Sequence, residues 1–250
     1  MKTANPTTVA IVTGGGSGIG LAITETFIKN NITTVIVGRD PEKLHQAKQR
    51  LGELCVPIAT DLSDLTAIPS LVQQVIKQCG HIDILVNNAG INMKKDFTDV
   101  TDEDFQKVLL TNVTAVFALT REVVKTMLPG KKGSIINISS MAAQYGIPKV
   151  IAYSASKTAI EGMTRAMAVE LSPQGIRINC IAPGFIATDM TSKAFNNDVA
   201  RKEKAMGRTP MGVIGAPSDI GDAALFLGTE ASKYITGVVL PVDGGNLIGF

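Results

Sequence analysis

Short apolar runs alternate along this chain with longer segments whose apolar residues recur every three or four positions. Val9-Ala10-Ile11-Val12 is the first run. Thr33 to Val37, Val56 to Ala59, Ile82 to Val86, Ser134 to Ile138, Ile176 to Ile181 and Gly237 to Leu240 follow. Their apolar residues sit at consecutive positions, so both faces are to be covered, as in the strands of a buried parallel sheet. Ile19 to Asn30 and Leu65 to Gln78 lie between them with helical spacing. The alternation predicts an α/β fold, a doubly wound parallel sheet with helices on both faces and right-handed crossovers. No repeat, linker or break in composition divides the chain, so residues 1–250 are read as a single three-layer domain. One stretch leaves the rhythm. Thr188 to Met211 carries a charged helical pattern, Asp198-Val199-Ala200-Arg201-Lys202-Glu203-Lys204, and is longer than a plain connection. A substrate lid over 188–211 is expected there; the other reading is a surface helix.

Composition adds exclusions. The 250 residues are 45% hydrophobic and 18% charged, an ordinary globular balance. A net charge of +2 is too small to point to nucleic acid or an anionic membrane as partner. Cys55, Cys79 and Cys180 form no C-x-x-C pair and only two histidines are present, so neither a disulfide scaffold nor a metal site is expected. Met1 to Thr8 is polar, unlike a secretory signal, and no apolar run reaches the ~18 residues of a membrane span. A cytoplasmic location is expected.

The first strand runs into Thr13-Gly14-Gly15-Gly16-Ser17-Gly18-Ile19-Gly20 and then a helix. Gly14 permits a tight turn, Gly18 lets the backbone approach a pyrophosphate, and Gly20 lets helix and strand pack closely. The free N–H groups of the helix start then face the phosphate. No Gly-Lys-Ser/Thr ends the loop, so it is not the phosphate loop of an ATPase. These features predict a dinucleotide site. Its second strand ends Val37-Gly38-Arg39-Asp40. A carboxylate at this strand end suits the ribose hydroxyls of NAD(H), and a cation suits the 2′-phosphate of NADP(H). Gly38 lacks the carboxylate, Arg39 is able to grip a phosphate, and Asp40-Pro41-Glu42 reads as a helix cap, so NADP(H) is favoured over NAD(H). Asp61, ending the third run before Leu62, is placed to accept from the adenine amino group; the rival reading is a helix cap, for which Ser63 competes.

Tyr153 and Lys157 stand at i and i+4 on one helical face. An ammonium ~4 Å from a phenolate is worth roughly 4 kcal/mol at an effective dielectric near 20. That is enough to bring such a tyrosine from its usual pKa near 10 towards ~7, where it serves as acid and base. Other groups converge. Ser139-Ser140 ends the fifth strand thirteen residues before Tyr153, and Ser140 is placed to hold a substrate oxygen. Asn87-Asn88-Ala89-Gly90 ends the fourth strand, and Asn112 is a polar residue in an apolar helix. Ligands bind at the carboxyl ends of such strands.

On these motifs, from Thr13-Gly14…Gly18-x-Gly20 through Asp61-Leu62, Asn87-Asn88-Ala89-Gly90, Asn112, Ser140 and Tyr153…Lys157 to Pro183-Gly184, the sequence resembles the short-chain dehydrogenase/reductase family over essentially its whole length. The resemblance implies a Rossmann-like fold with a seven-stranded parallel sheet and, commonly, a homotetramer. It implies that Tyr153 is the general acid in reduction and the base in oxidation. Lys157 would bind the nicotinamide ribose, Ser140 would orient the carbonyl, and Asn112 would anchor a water linking Lys157 to solvent. Cofactor contacts would come from Gly14, Ser17, Gly18, Ile19, Gly20, Arg39, Asp61, Leu62, Asn88, Ala89, Gly90, Tyr153 and Lys157, with Pro183, Gly184, Ile186 and Thr188 around the nicotinamide.

The segment Ala182 to Met190 and the tail Gly237 to Gly245 resemble 3-oxoacyl-(acyl-carrier-protein) reductases, and sugar, gluconate and polyol dehydrogenases share much of both. The expected activity is therefore hydride transfer between NADP(H) and a carbonyl/secondary alcohol pair, 3-oxoacyl thioester reduction in first place. The substrate would be a small molecule, free or carried on an acyl carrier protein or coenzyme A. A carrier-using enzyme needs cations at its entrance, and Lys131 and Lys132 are candidates, whereas Gln174 stands where carrier-using relatives tend to have arginine. Gln144 and Tyr145 read either as polar contacts for a hydroxylated substrate or as a wall. A sugar, gluconate or polyol dehydrogenase is the second reading; a steroid or other small carbonyl is the third. A non-catalytic dinucleotide-binding regulator would keep the glycine loop and lose the acid–base pair, and all four catalytic positions are present here.

Overall fold

The structure, a computed structural model, describes residues 7–188, 191 and 199–249. The chain runs β1 (Val9–Thr13), α1 (Gly18–Lys29), β2 (Thr33–Gly38), α2 (Pro41–Leu51), β3 (Cys55–Ala59), α3 (Ile68–Cys79), β4 (Ile84–Asn87), α4 (Asp102–Leu109), α5 (Ala115–Met127), β5 (Gly133–Ile138), α6 (Ile151–Leu171), β6 (Ile176–Pro183), α7 (Val199–Gly207), α8 (Pro217–Gly228) and β7 (Val239–Val242). The strands form one seven-stranded sheet in the order β3-β2-β1-β4-β5-β6-β7, and every pairing is parallel. The order reverses between β1 and β4, which opens a crevice at their carboxyl ends.

Both faces of the sheet are covered, which explains the unbroken apolar runs. Ile11 of β1 packs into a cluster with Leu71 and Val75 of α3, Leu119 and Val123 of α5 and Leu171 of α6. Its neighbours Ala10 and Val12 point the other way, into a cluster with Ile23 and Phe27 of α1 and Ile220 and Leu227 of α8. Met127 of α5 and Leu171 of α6 are both buried in the first cluster. Proline sits where the ladder tolerates it: Pro57 and Pro241 lie in β3 and β7, the two edge strands. The last strand starts at Val239 and not at Gly237, because Gly237 takes a φ of +77 that a strand does not accommodate. The helix expected from Leu65 opens as a 3-10 turn, Leu65–Ala67, before Pro69 enters the first turn of α3.

The three cysteines are free; Cys55 and Cys180 are buried, and burial pushes their thiols up to about 11 and about 12. Among the described residues no helix is long and apolar enough to cross a membrane. Within the expected lid 188–211, residues 189–190 and 192–198 lie outside the described residues, and α7 forms most of the remainder.

Candidate active site

Because all strands are parallel, the turns that follow β1, β2, β3, β4, β5 and β6 gather at one edge. The first is the glycine loop. Gly14 takes a φ of +67, and a Cβ there would stand 2.8 Å from Asn88 Nδ2. At Gly20 a Cβ would stand 2.2 Å from the Gly14 carbonyl oxygen and 2.5 Å from Asn88 Nδ2, a space only glycine leaves open. Asn88 holds the turn from the other side: its Nδ2 donates to Thr13 O at 2.9 Å, and Thr13 Oγ1 accepts from the N–H groups of Asn88 and Ala89, each at 2.9 Å. The loop delivers the start of α1 without a cap. Ser17 makes no side-chain cap bond and no acidic residue stands in the first turn, whereas α2 and α4 are capped by Asp40 and Thr101. Free N–H groups and a helix dipole without a counter-charge suit the pyrophosphate of a dinucleotide. Thr188 closes on this loop: its Cγ2 would be 3.8 Å from a Cβ at Gly18. Ile186, by contrast, buries its side chain in the core, and Leu62 and Ile19 pack against core clusters, so what these offer a ligand at the loop comes largely from their backbones.

At the end of β2, Asp40 accepts from the N–H groups of Glu42 and Lys43 with Pro41 in the first turn, which is the cap expected from the sequence. Arg39 is exposed and makes no hydrogen bond or ion pair among the described residues. Its charge reaches Asp61. Two hydrogen bonds from Ser63 and then Arg39 hold the Asp61 carboxyl below the usual range, so it stays an acceptor. Asp61 Oδ1 takes both Ser63 bonds, while the turn at Leu65 is capped by Asp64. Neither rival cap expected from the sequence, Asp61 or Ser63, caps that turn.

Tyr153 and Lys157 lie on the first turns of α6. Lys157 is 5% exposed; its Nζ stands 5.5 Å from the centre of the Tyr153 ring and donates to Ile138 O at 2.8 Å. The Tyr153 hydroxyl makes no hydrogen bond among the described residues. Ser140 Oγ accepts from Ala142 N at 3.1 Å, which leaves its own proton to donate. Asn112 sits in a π-helical turn, Leu110–Thr114, between α4 and α5. Its Oδ1 accepts from Ile91 N at 2.8 Å, and its Nδ2 donates to Ile91 O at 2.9 Å and Ser156 Oγ at 3.0 Å. The side chain thus fastens the β4 turn to α6, and the water expected there is left one lone pair of Oδ1. A Cβ at Gly90 would come within 3.1 Å of that oxygen and 3.6 Å of Lys157 Nζ.

A cavity of about 470 Å³ opens on the segment joining Ser140 to Tyr153. Tyr145, Ile147, Pro148 and Phe185 form its apolar wall, and Lys94, Lys149, Lys204 and Arg208 bring cations to it. Lys149 holds a φ of +69, a strained conformation for a side-chain-bearing residue, and its ammonium pairs with Asp96 at 2.9 Å. Arg208 lies over the Tyr145 ring, 4.0 Å from its centre. The sequence pointed to Lys204 and Arg208 only as part of the expected lid and to neither Lys94 nor Lys149; the four come from three separated stretches with no shared pattern. Lys131 and Lys132 are not at this mouth. They precede Gly133 at the amino end of β5, as Gln174 precedes β6, and so lie on the opposite edge of the sheet. A larger hollow, about 910 Å³ and including Lys132, lies on that far edge too, and Asn112, Ser140, Tyr153 and Lys157 are not among its lining. Gln144 and Tyr145 are also spent internally. Gln144 Nε2 donates to Glu161 Oε2, and Tyr145 O–H donates to Asn246 Oδ1. Burial pushes the Tyr145 phenol up, which keeps it a donor. Tyr145 takes the wall role, and Gln144, which is exposed and outside the cavity lining, is engaged by Glu161 instead.

Comparison with known proteins agrees with this geometry. The sequence profile described as short chain dehydrogenase matches residues 8–199. A 3alpha-hydroxysteroid dehydrogenase of Mediterraneibacter gnavus is 40% identical over 242 residues, covering 94% of this chain and 95% of that one. A 3-oxoacyl-(acyl-carrier-protein) reductase of Thermotoga maritima is 37% identical over 243 residues, covering 96% and 98%. Among solved structures, an NAD+-bound xylitol dehydrogenase superposes with a TM-score of 0.92 at 30% identity, covering 98% of this chain and 100% of that one.

Proposed function

The chain belongs to the short chain dehydrogenase family and is an oxidoreductase acting on alcohol and ketone groups, and from that premise we propose that it reduces 3-oxoacyl thioesters with NADPH. The observation that carries the chemistry is a Tyr153 hydroxyl without a bond among the described residues and a buried Lys157 ammonium 5.5 Å from its ring, with Ser140 and the uncapped start of α1 at the same edge of the sheet. A bound nicotinamide dinucleotide supplies or accepts the hydride. Ser140 and Tyr153 both donate to the carbonyl oxygen and fix its position. In reduction Tyr153 passes its phenolic proton to that oxygen, and Lys157 stabilises the negative charge left on the tyrosine. In oxidation the same residues work in reverse. Arg39 and the missing carboxylate at Gly38 support NADP(H), and Asp61 is left to accept from the adenine.

Support for a thioester comes from the cavity, an apolar wall with four cations at its rim. An acyl chain fits the wall, and the phosphates of a pantetheine carrier fit the rim. The described part of the stretch 188–211 borders this cavity through Lys204 and Arg208, which supports its reading as a lid. Polyol oxidation, the reading favoured by the likeness to a xylitol dehydrogenase, needs hydroxyl-binding groups, and the two side chains expected from the sequence to serve, Gln144 and Tyr145, are already engaged.

The test compares acetoacetyl-CoA reduction with oxidation of xylitol, gluconate and a 3α-hydroxysteroid. Turnover of the thioester with NADPH is expected to exceed the others by at least tenfold. Brisk polyol or steroid oxidation without thioester reduction would overturn the substrate. Independently, Tyr153→Phe is expected to bind NADPH as the wild type does and to lose turnover by about three orders of magnitude or more; activity surviving that change removes Tyr153 from the mechanism.

A further inference from the structure

α6 carries a third ionisable residue on the face of Tyr153 and Lys157. Glu161 follows Lys157 by four positions and Tyr153 by eight, so the three form one ridge along the helix. Glu161 is 5% exposed, and a buried carboxylate persists only where hydrogen bonds replace its water. It makes no ion pair with Lys157 among the described residues. Its partners lie elsewhere. Ser139 Oγ donates to Oε1 at 2.7 Å, and Gln144 Nε2 donates to Oε2. Both oxygens are thereby used, each by a residue of the same short segment.

That segment matters because Ser139 and Gln144 bracket Ser140. Between them the backbone makes a single 3-10 turn, Met141–Ala143, whose start is capped by Ser140 itself. Ser139 is also tied to β6 through its N–H, which donates to Ile181 O at 2.7 Å. The segment is therefore anchored at its base by the sheet and at both ends by one carboxylate. The carboxylate stands on the helix that presents Tyr153. A hydroxyl that shares a carbonyl oxygen with a tyrosine must keep its distance from that tyrosine within a few tenths of an ångström, and a direct link between their supports achieves this. The proposed chemistry gives Ser139 and Gln144 no part of their own, and the hydrogen bonds of Glu161 go to these two residues.

We infer that Glu161 is a positioning residue, which sets the Ser140 hydroxyl against Tyr153 by gripping Ser139 and Gln144 at the two ends of the segment that carries it. The inference rests on the reading of Ser140 and Tyr153 as the pair that holds the carbonyl oxygen. Glu161→Ala opens the grip. Glu161→Gln preserves it, because the amide oxygen accepts from Gln144 while the amide N–H donates to Ser139 Oγ. Gln144→Ala releases one end only, at the surface: Glu161 Oε2 loses its partner while the Ser139 bond to Oε1 stays in place.

The experiment measures NADPH-dependent reduction of acetoacetyl-CoA by the intact chain and its variants. Glu161→Ala is expected to lose at least tenfold in kcat with NADPH affinity within twofold of wild type. Gln144→Ala is expected to lose severalfold, and Glu161→Gln to recover most of the loss. The deciding measurement is the combination with Ser140→Ala: once that hydroxyl is gone, Glu161→Ala and Gln144→Ala should cost kcat nothing further. A residue that merely stabilises the fold lowers Tm and multiplies its loss with that of Ser140→Ala. Undiminished kcat in both Glu161→Ala and Gln144→Ala, or losses that multiply, overturns the inference. Should Glu161→Ala fail to fold, Gln144→Ala decides by the same combination. Tyr153→Phe serves as control: if it keeps wild-type turnover, the catalytic reading fails on its own account, separately from Glu161.

Discussion

Gly38 closes β2 without a side chain, and the residue beside it is a cation that makes no hydrogen bond or ion pair among the described residues. A Cβ at this position would meet only Leu44, at 3.5 Å, and the backbone is not left-handed, so an aspartate can be accommodated there. Its carboxylate would face the ribose hydroxyls of NADH and repel the 2′-phosphate of NADPH. Gly38→Asp is expected to weaken NADPH binding by about 10- to 100-fold, roughly 1.4–2.7 kcal/mol, and to leave NADH binding equal or tighter. Nucleotide fluorescence titration reads both. A variant that keeps its NADPH affinity would show that this strand end does not choose the cofactor. At the same scale, several residues carry their reason in plain view of the sequence. Asp40 with Pro41 is a cap in pattern and in fact. Glu161 left a trace that can be recognised: a carboxylate four residues after a buried lysine, on a stripe otherwise filled by Ile160, Thr164 and Ala168. A charge on an apolar stripe asks for a partner, but the stripe does not say which one.

Among elements, α1 is set apart by the turn that delivers it. α2 and α4 begin with side-chain caps, whereas α1 begins with bare N–H groups held up by a turn that only glycines can make. Gly20→Ala forces a Cβ into the Gly14 carbonyl and Asn88. Overpacking of this kind costs about 1–3 kcal/mol, and the displaced loop no longer presents its amides. The variant is expected to melt ~2–12 °C lower and to lose at least 100-fold in NADPH affinity. Gly162→Ala provides the contrast. Nothing lies within 4 Å of a Cβ at that site on α6, and the backbone is helical. There the same substitution should raise stability by about 0.5–1 kcal/mol and leave binding unchanged. Thermal melts and titrations of the two variants, side by side, separate the steric demand of the loop from a general property of glycine. The loop motif and the helix behind it were readable because both are local. The π-helical turn that presents Asn112 was not, since its irregularity is stabilised by Ile91 and Ser156, which lie 21 and 44 residues away.

Across the whole molecule the net charge of +2 conceals a local concentration of cations at the cavity mouth. Lys94 stands on the turn after β4, Lys149 just before α6, and Lys204 and Arg208 on and after α7. If these cations receive the phosphates of a thioester carrier, their contribution is screened by salt over a Debye length of ~8–10 Å near physiological ionic strength. The KM for acetoacetyl-CoA is expected to rise severalfold between low and high salt, while the KM for a small uncharged ketone stays flat. Lys94→Glu combined with Lys204→Glu should reproduce the rise at low salt with kcat little changed. Equal response of both substrates would show that the rim does not read the anion. The field is a product of folding: residues more than a hundred positions apart contribute to it.

The chain alone determined the seven strand runs and their alternation with helices, the parallel sheet with two covered faces, the glycine turn into α1, and the i to i+4 spacing of Tyr153 and Lys157. Each of these is written in spacings of two, four or a few residues, where the geometry of a strand, helix or turn is already complete. Tertiary structure decided what lies around the chemistry. It carried Lys131, Lys132 and Gln174 to the amino edge of the sheet, because a parallel strand separates its two ends by its full length. It bonded Gln144 and Tyr145 to Glu161 and Asn246, partners 17 and 101 residues further along. It also set Lys94, Lys149, Lys204 and Arg208 around one cavity. Local pattern reports whether a side chain is to be buried and on which face; which distant side chain it meets depends on how the layers stack, and that information exists only once the sheet and its helices have packed.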